Sequence, residues 1–192
     1  MTLKSAALLI AKQHSSRLKN KNFRDFCGNP MFMWNVEKCL QLFDRVYVSS
    51  DYDYILEESE KLGARGIKRP PELCESNVPN IPVYQHALPY MDNPEIIVTV
   101  KVDSPTIKKE IIKQAKELME HHDYNELMTV FPAHADANRV YGAVWALRRE
   151  RLKNYKDFWN PQPDVLLVDD SIDIHTEADL IQAEKQMRNR VI

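Results

Sequence analysis

Apolar and polar positions along the chain switch between two periods, and the switches mark its elements. Ser5-Ala-Ala-Leu-Leu-Ile-Ala11 is an unbroken apolar run of strand length, the pattern of a central strand covered on both faces. The polar, basic stretch Lys12 to Arg24 ends it. Met33, Val36, Leu40 and Phe43 then recur at helical spacing, with Asn29 as the expected cap and Pro30 at the first helical position. Arg45 to Ser49 is β-rich, and Asp51 is placed to cap a helix from Tyr54 to Leu62 that Gly63 stops. Ile67 to Pro71 must be extended, because a residue before proline is pushed out of the helical region. Asn80 is the expected cap of a helix through Val83, His86, Ala87 and Leu88. Ile96 to Val102 is a second buried strand, closed by Asp103-Ser-Pro105 and followed by an amphipathic helix from about Ile107 to Met119. Leu127 to Phe131, Arg139 to Leu147 and Val165 to Val168 are strand-like, and Thr176-Glu-Ala-Asp179 is a capping-box variant opening the last helix. Strands and helices alternating in this order predict an α/β fold, Rossmann-like, with a mostly parallel sheet and helices on both faces.

Composition narrows the class. A chain of 192 residues with 44% hydrophobic and 28% charged positions is an ordinary globule, expected to form one domain over residues 1–192. A net charge of −2 leaves no global basic field for nucleic acid or an anionic membrane, so any polyanion site must be local. The three cysteines, Cys27, Cys39 and Cys74, form no CxxC pair and read as small buried hydrophobes in a reducing, cytoplasmic setting. No apolar run approaches the roughly 18 residues that a membrane span needs.

In an open α/β sheet, ligands bind beyond the carboxyl ends of the strands, so the segment after the first strand is the first place for chemistry. Lys12, Arg17, Lys19 and Lys21 stand there without an acid, and Ser15 and Ser16 add donors, a composition suited to phosphate. The segment has no glycine and is not a Walker A loop. Asp103, at the end of a buried strand, is placed to hold Mg²⁺ against phosphate oxygens. Asp173 and His175 alternate with Ile172 and Ile174 and would share one face of an extended segment. His86, His121 and His122 read as core or solvent residues.

Together these segments resemble the cytidylyltransferases that make CMP-activated acidic sugars, the CMP-acylneuraminate and CMP-Kdo synthetase family. The likeness begins with Leu9-Ile-Ala-Lys-Gln-His-Ser-Ser-Arg-Leu-Lys-Asn-Lys-Asn22, similar to a nucleotide loop of form ARxxSxxxxxKN. It continues through Phe43-Asp-Arg-Val-Tyr-Val-Ser-Ser-Asp51, Arg69-Pro-Pro-Glu-Leu73, Val100-Lys-Val-Asp-Ser-Pro105, Gly142-Ala-Val-Trp145 and Ser171-Ile-Asp-Ile-His-Thr-Glu-Ala-Asp-Leu180. The resemblance implies CTP at the first loop and Mg²⁺, with Mn²⁺ as the alternative. Ala11 and Lys12 would lie against cytosine, Ser15 and Lys21 near the phosphates, and Asn22, Arg69 and Asn80 near the ribose or base. Lys101 joins the nucleotide set, and Lys21 with Arg17 would support the departing pyrophosphate. Asp103 matches the carboxylate that holds metal in the Kdo branch, and Asp173 the first carboxylate of the sialate branch's IDID motif.

Four positions depart from the pattern. Lys12 replaces arginine, losing its planar fork. Lys101 stands where the sialate branch has glutamine. His175 replaces the second aspartate of IDID, which favours a softer metal than Mg²⁺. Between Phe131 and Gly142 the family's long sugar-recognition insertion is cut to ten residues, Pro132 to Tyr141, leaving His134, Asn138, Arg139 and Tyr141 to line a reduced acceptor pocket, with Arg139 and Tyr141 the principal contacts. The expected reaction is transfer of CMP from CTP to a 2-keto-3-deoxy sugar acid. The alternatives are a smaller anionic acceptor such as a phosphonate, an acceptor site completed by a second chain in a homodimer, and a nucleotide-binding protein without turnover.

Overall fold

The structure is a computed structural model that describes residues 4–15, 17–131 and 141–190, without the side chain of Arg190. The first apolar run is strand β1 (Ser5–Ile10). Its successive side chains go to opposite faces, as the two-residue period of a strand demands. Ala7 and Leu9 enter a core beneath the first helices, while Ala6 and Leu8 enter a second core on the other side of the sheet. This explains why the run carries no polar alternation.

A short hairpin of β2 (Asp25–Phe26) and β3 (Asn29–Pro30) precedes helix α1 (Met31–Leu40). Asn29 and Pro30 were expected as cap and first helical residue; they form a strand instead, and Pro30 is the residue before the helix. The tight turn is made by Cys27 and Gly28, both with positive φ (51° and 91°). Strand β4 (Val46–Ser50) leads into α2 (Asp53–Leu62), which Gly63 ends in the left-handed conformation at φ 106°. Asp51 does not cap α2; its carboxylate accepts the Gln13 backbone N–H. Next come β5 (Arg65–Lys68), α3 (Asn80–Ala87) and β6 (Ile96–Val100). Asn80 is the first residue of α3 and not its cap, since Pro79 holds that place. The chain closes with α4 (Lys109–His121), β7 (Glu126–Val130), β8 (Tyr141–Arg148), α5 (Arg149–Lys153), β9 (Val165–Val168) and α6 (Glu177–Arg190). Thr176 and Asp179 form the expected capping box at the start of α6, each backbone N–H donating to the other's side chain.

Among the described residues, seven strands form one sheet in the order β5-β4-β1-β6-β8-β7-β9. All pairings are parallel except those of β8, which runs against both β6 and β7. Helices α1, α2 and α4 cover one face and α3 and α5 the other. After β1 the chain winds outward through β4 and β5, then crosses back to place β6 on the other side of β1. That reversal opens a crevice beyond the carboxyl ends of β1 and β6. Among the described residues no helix is long and apolar enough to cross a membrane.

Candidate active site

The crevice is a cleft of about 410 Å³. Its walls come from the loop after β1, the segment after β5, the start of α3, the turn after β6 and the stretch between β9 and α6. Lys12, Arg17, Lys21, Arg69 and Lys101 line it against Glu75, Asp103 and Asp173, so this surface is locally cationic in a chain of net charge −2. Ser15, Asn22, Asn80 and His175 complete the predicted set. Ala11 is the exception: its methyl group is buried in the core beneath α1, so only its backbone could meet a base.

A small apolar cluster brings together parts of the cleft that are far apart in sequence. Leu18 of the first loop packs with Phe26, Met31, Ile174, Leu180 and Ala183. Ile174 is fully buried, so its extended neighbours Asp173 and His175 are turned the other way, toward the cleft. The Ile174 N–H donates to the Asp103 carbonyl, and the Lys21 ammonium donates both to the Ile174 carbonyl (2.9 Å) and to the Asp103 carboxylate (2.5 Å). Arg24 adds a two-pronged contact to Glu177 at the start of α6.

The turn after β6 is held by α1. Asn35, fully buried on the apolar face of α1, donates to the carbonyls of Lys101 (2.7 Å) and Ser104 (3.0 Å). Lys38 donates to the carbonyls of Pro105 and Ile107. Sequence reasoning missed both residues, although an asparagine between Phe32 and Val36 in the apolar stripe was a visible signal. Asn22 likewise acts through its neighbour, donating to the Lys12 carbonyl (2.7 Å), while the Lys12 ammonium reaches the Cys74 carbonyl on the opposite lip (3.2 Å). Cys39 is buried as expected, but Cys27 and Cys74 are only partly buried: one sits in the hairpin turn, the other follows Leu73 and offers its carbonyl to Lys12.

Asp103, Asp173 and His175 each offer a ligand atom, and these atoms lie within 4.8 Å of one another. The Asp173 Oδ2 atom is shared by His175 Nε2 (3.2 Å) and Lys101 Nζ (3.0 Å). Among the described residues, Asp173 Oδ1 and His175 Nδ1 are buried without a partner. Burial alone would raise the Asp173 pKa, but the His175 hydrogen bond and the Lys101 charge outweigh it and hold the carboxyl well below its usual range. Arg69 is nearly buried; its Nη2 donates to the Ser49 carbonyl while Nε has no partner among the described residues, and burial lowers its pKa. An orphaned donor on a desolvated guanidinium is a ready anion contact.

A second cavity of about 370 Å³ adjoins the cleft and shares Asn80, Tyr84 and Lys101 with it. Met128, Ala143, Val144 and Trp145 give it an apolar floor, and Tyr141 lines it as well. Tyr84 meets Trp145 edge-on at 6.0 Å. Gly142 is required here: a Cβ would stand 2.4 Å from Thr129 Oγ1 and 2.7 Å from Asp169 Oδ2. That buried Asp169 carboxylate accepts from Thr129, Ala143 N–H and Ser171 N–H, tying β7, β8 and the segment leading to Asp173 together. His134, Asn138 and Arg139 lie outside the described residues.

A family model described as cytidylyltransferase matches residues 6–164. Pseudaminic acid cytidylyltransferase of Campylobacter jejuni serotype O:2 is 29% identical over 122 residues, which are 60% of this chain and 53% of that protein. N-acylneuraminate cytidylyltransferase B of Danio rerio is 25% identical over 130 residues, 67% of this chain and 31% of that protein. The chain thus spans about half the length of the first relative and a third of the second. The fold is that of CMP:2-keto-3-deoxy-manno-octonic acid synthetase, solved with CTP, at a TM-score of 0.77 and 15% identity over 97% of this chain and 99% of that one. Rv0371c of Mycobacterium tuberculosis, solved with manganese, shares it at a TM-score of 0.69 and 13% identity over 96% and 99%. With the family model running from β1 to the residue before β9, the chain belongs to the cytidylyltransferase family.

Proposed function

We propose that this chain transfers CMP from CTP to a 2-keto-3-deoxy sugar acid of the acylneuraminate, pseudaminate or Kdo kind, releasing pyrophosphate. The observation that carries the reading is the convergence of five cations and the Asp103, Asp173, His175 group on one cleft at the sheet's reversal point, in a chain of this family. Lys21, Arg17 and Lys12 are placed to bind the triphosphate, and Arg69, Asn80 and the Lys12 backbone to meet the ribose and base. Lys21 is the natural support for charge on the leaving pyrophosphate, because its ammonium is fixed by two partners and needs no reorganisation. The acceptor would sit in the adjoining cavity, its hydroxyl giving up its proton to solvent while the oxygen bonds to the α-phosphorus and the bridge to the β-phosphate breaks, releasing pyrophosphate. Positioning and electrostatics would do most of the catalysis.

Asp103, Asp173 and His175 fit a divalent cation, since two buried atoms of that group, Asp173 Oδ1 and His175 Nδ1, have no partner among the described residues. Such an ion, Mg²⁺ or Mn²⁺, would neutralise phosphate charge. The imidazole favours the softer of the two.

The test is pyrophosphate release from CTP against a panel of these sugar acids and small phosphonates. Release that needs both CTP and one sugar acid supports the reading. Release with phosphonates alone moves the acceptor class. A larger rise in Tm with CTP than with ATP or GTP, but no release across the panel, makes the chain a nucleotide-binding protein without turnover. Equal rises for the three nucleotides remove the cytidine site.

A further inference from the structure

Lys101 stands on the wall between the two cavities and belongs to both. Its backbone is clamped: the N–H donates to the Ala143 carbonyl (2.8 Å) and the carbonyl accepts from buried Asn35 (2.7 Å). Its side chain is not, being 31% exposed. The ammonium rests on Asp173 Oδ2 at 3.0 Å and on the Tyr141 carbonyl, in the acceptor cavity, at 3.3 Å. From one position this cation on a flexible stem therefore touches both a metal-type carboxylate and the rim of the neighbouring cavity.

We infer that Lys101 is a tethered cation that competes with the divalent metal for Asp173 and leaves it to pair with the acceptor's carboxylate. This rests on the reading of the cleft given above. A divalent ion taken up beside Asp173 repels both ammonium groups of the cleft, but Lys21 is buried and held by the Ile174 carbonyl as well as Asp103, whereas Lys101 is partly exposed, so Lys101 is the one free to move. Lys101 has somewhere to go, because Tyr141 and the second cavity lie beside it. Among the described residues lining that cavity, Lys101 is the one cationic side chain and there is no acid, so an anionic acceptor finds its counter-charge there. Drawing Lys101 off Asp173 frees that carboxylate, so metal and acceptor favour each other's binding. Linkage makes the effect reciprocal. The role is one of positioning and coupling, beyond a fixed contact to nucleotide.

The test is Mn²⁺ binding to the full chain by electron paramagnetic resonance, without nucleotide, with and without Kdo or N-acetylneuraminate. Lys101→Met should bind Mn²⁺ about tenfold more tightly than the unaltered protein, the size expected when one close like charge is removed from a partly exposed site. The sugar acid should tighten Mn²⁺ binding severalfold in the unaltered protein and leave Lys101→Met unchanged. Lys113→Met, which removes an exposed charge paired with Glu117, should stay within about twofold of the unaltered protein. Equal or weaker Mn²⁺ binding in Lys101→Met overturns the competition, and a sugar-acid effect that survives in that variant overturns the coupling. Absence of Mn²⁺ binding in both proteins, with CTP as well as without, overturns the metal site and this inference together; the CTP-induced rise in Tm reports separately on the nucleotide site.

Discussion

Two carboxylate clusters occupy opposite ends of the same sheet, and they are built on opposite principles. Glu126, at the amino end of β7, is fully buried, and both its oxygens are occupied. Trp145 Nε1 and the Tyr155 hydroxyl donate to one, and the Arg151 guanidinium donates twice to the other. Arg151 also lies over the Tyr155 ring at 4.4 Å. At the carboxyl end, Asp103 and Asp173 hold lysines, but Asp173 Oδ1 and His175 Nδ1 are left without partners among the described residues. The first cluster is closed and the second is incomplete. Incompleteness of this kind costs stability and is the usual mark of a place kept for a ligand. The closed cluster also serves the open one at a distance, since Trp145, pinned by Glu126, forms the floor of the second cavity.

The comparison can be broken most directly at Glu126. Glu126→Ala leaves the Trp145 and Tyr155 donors and the part-exposed Arg151 guanidinium unpaired, and should cost about 2–4 kcal/mol in urea unfolding. A loss below about 1 kcal/mol would show that the cluster is not structural. Asp173→Asn should act the other way round. CMP transfer should fall by at least about a hundredfold, roughly 2.7 kcal/mol in the barrier, while unfolding free energy falls by only about 1–2 kcal/mol, for the lost contacts to Lys101 and His175. A stability loss matching that of Glu126→Ala would erase the distinction between the two ends.

Smaller changes sharpen it. Gly142→Ala forces a methyl group against Thr129 and Asp169, and should cost about 1–3 kcal/mol in the same unfolding measurement. Tyr155→Phe removes one hydrogen bond to Glu126, for about 1 kcal/mol, and changes the pH response. Burial and then the bond to Glu126 raise the Tyr155 phenol above its ordinary 10.0. A raised folded pKa gives stability that is complete below pH 10 and lost as pH rises toward the folded value. Tyr155→Phe should therefore flatten the alkaline decline of stability; an unchanged decline would separate Tyr155 from it.

Much of this was legible in the sequence, because local patterns answer to local physics. The unbroken run at Ser5–Ile10, the stop at Gly63 and the Thr176–Asp179 box are each set by side-chain period or backbone conformation within a few residues. Asp173 and His175 were placed on one face by alternation with Ile172 and Ile174 alone. Asn29, Asp51 and Asn80 were misjudged as caps for a related reason: a short polar side chain before a helix is as well suited to a hairpin, a loop contact or the first turn, and composition does not separate these.

What the chain determined by itself, then, was the inventory: the strands and helices, the cationic first loop and the carboxylates at strand ends. Only the tertiary structure decided their company. Lys21 meets the Ile174 carbonyl across 153 positions of sequence because Leu18 and Ile174 are buried in one apolar cluster. The Lys101 ammonium lies on Asp173 because β6 was carried back beside β1 and Asn35 holds the turn that follows it. Periodicity encodes which face of an element is apolar, but the partner for that face is chosen by the packing of the whole sheet, and the charges of the cleft meet only where that packing brings them.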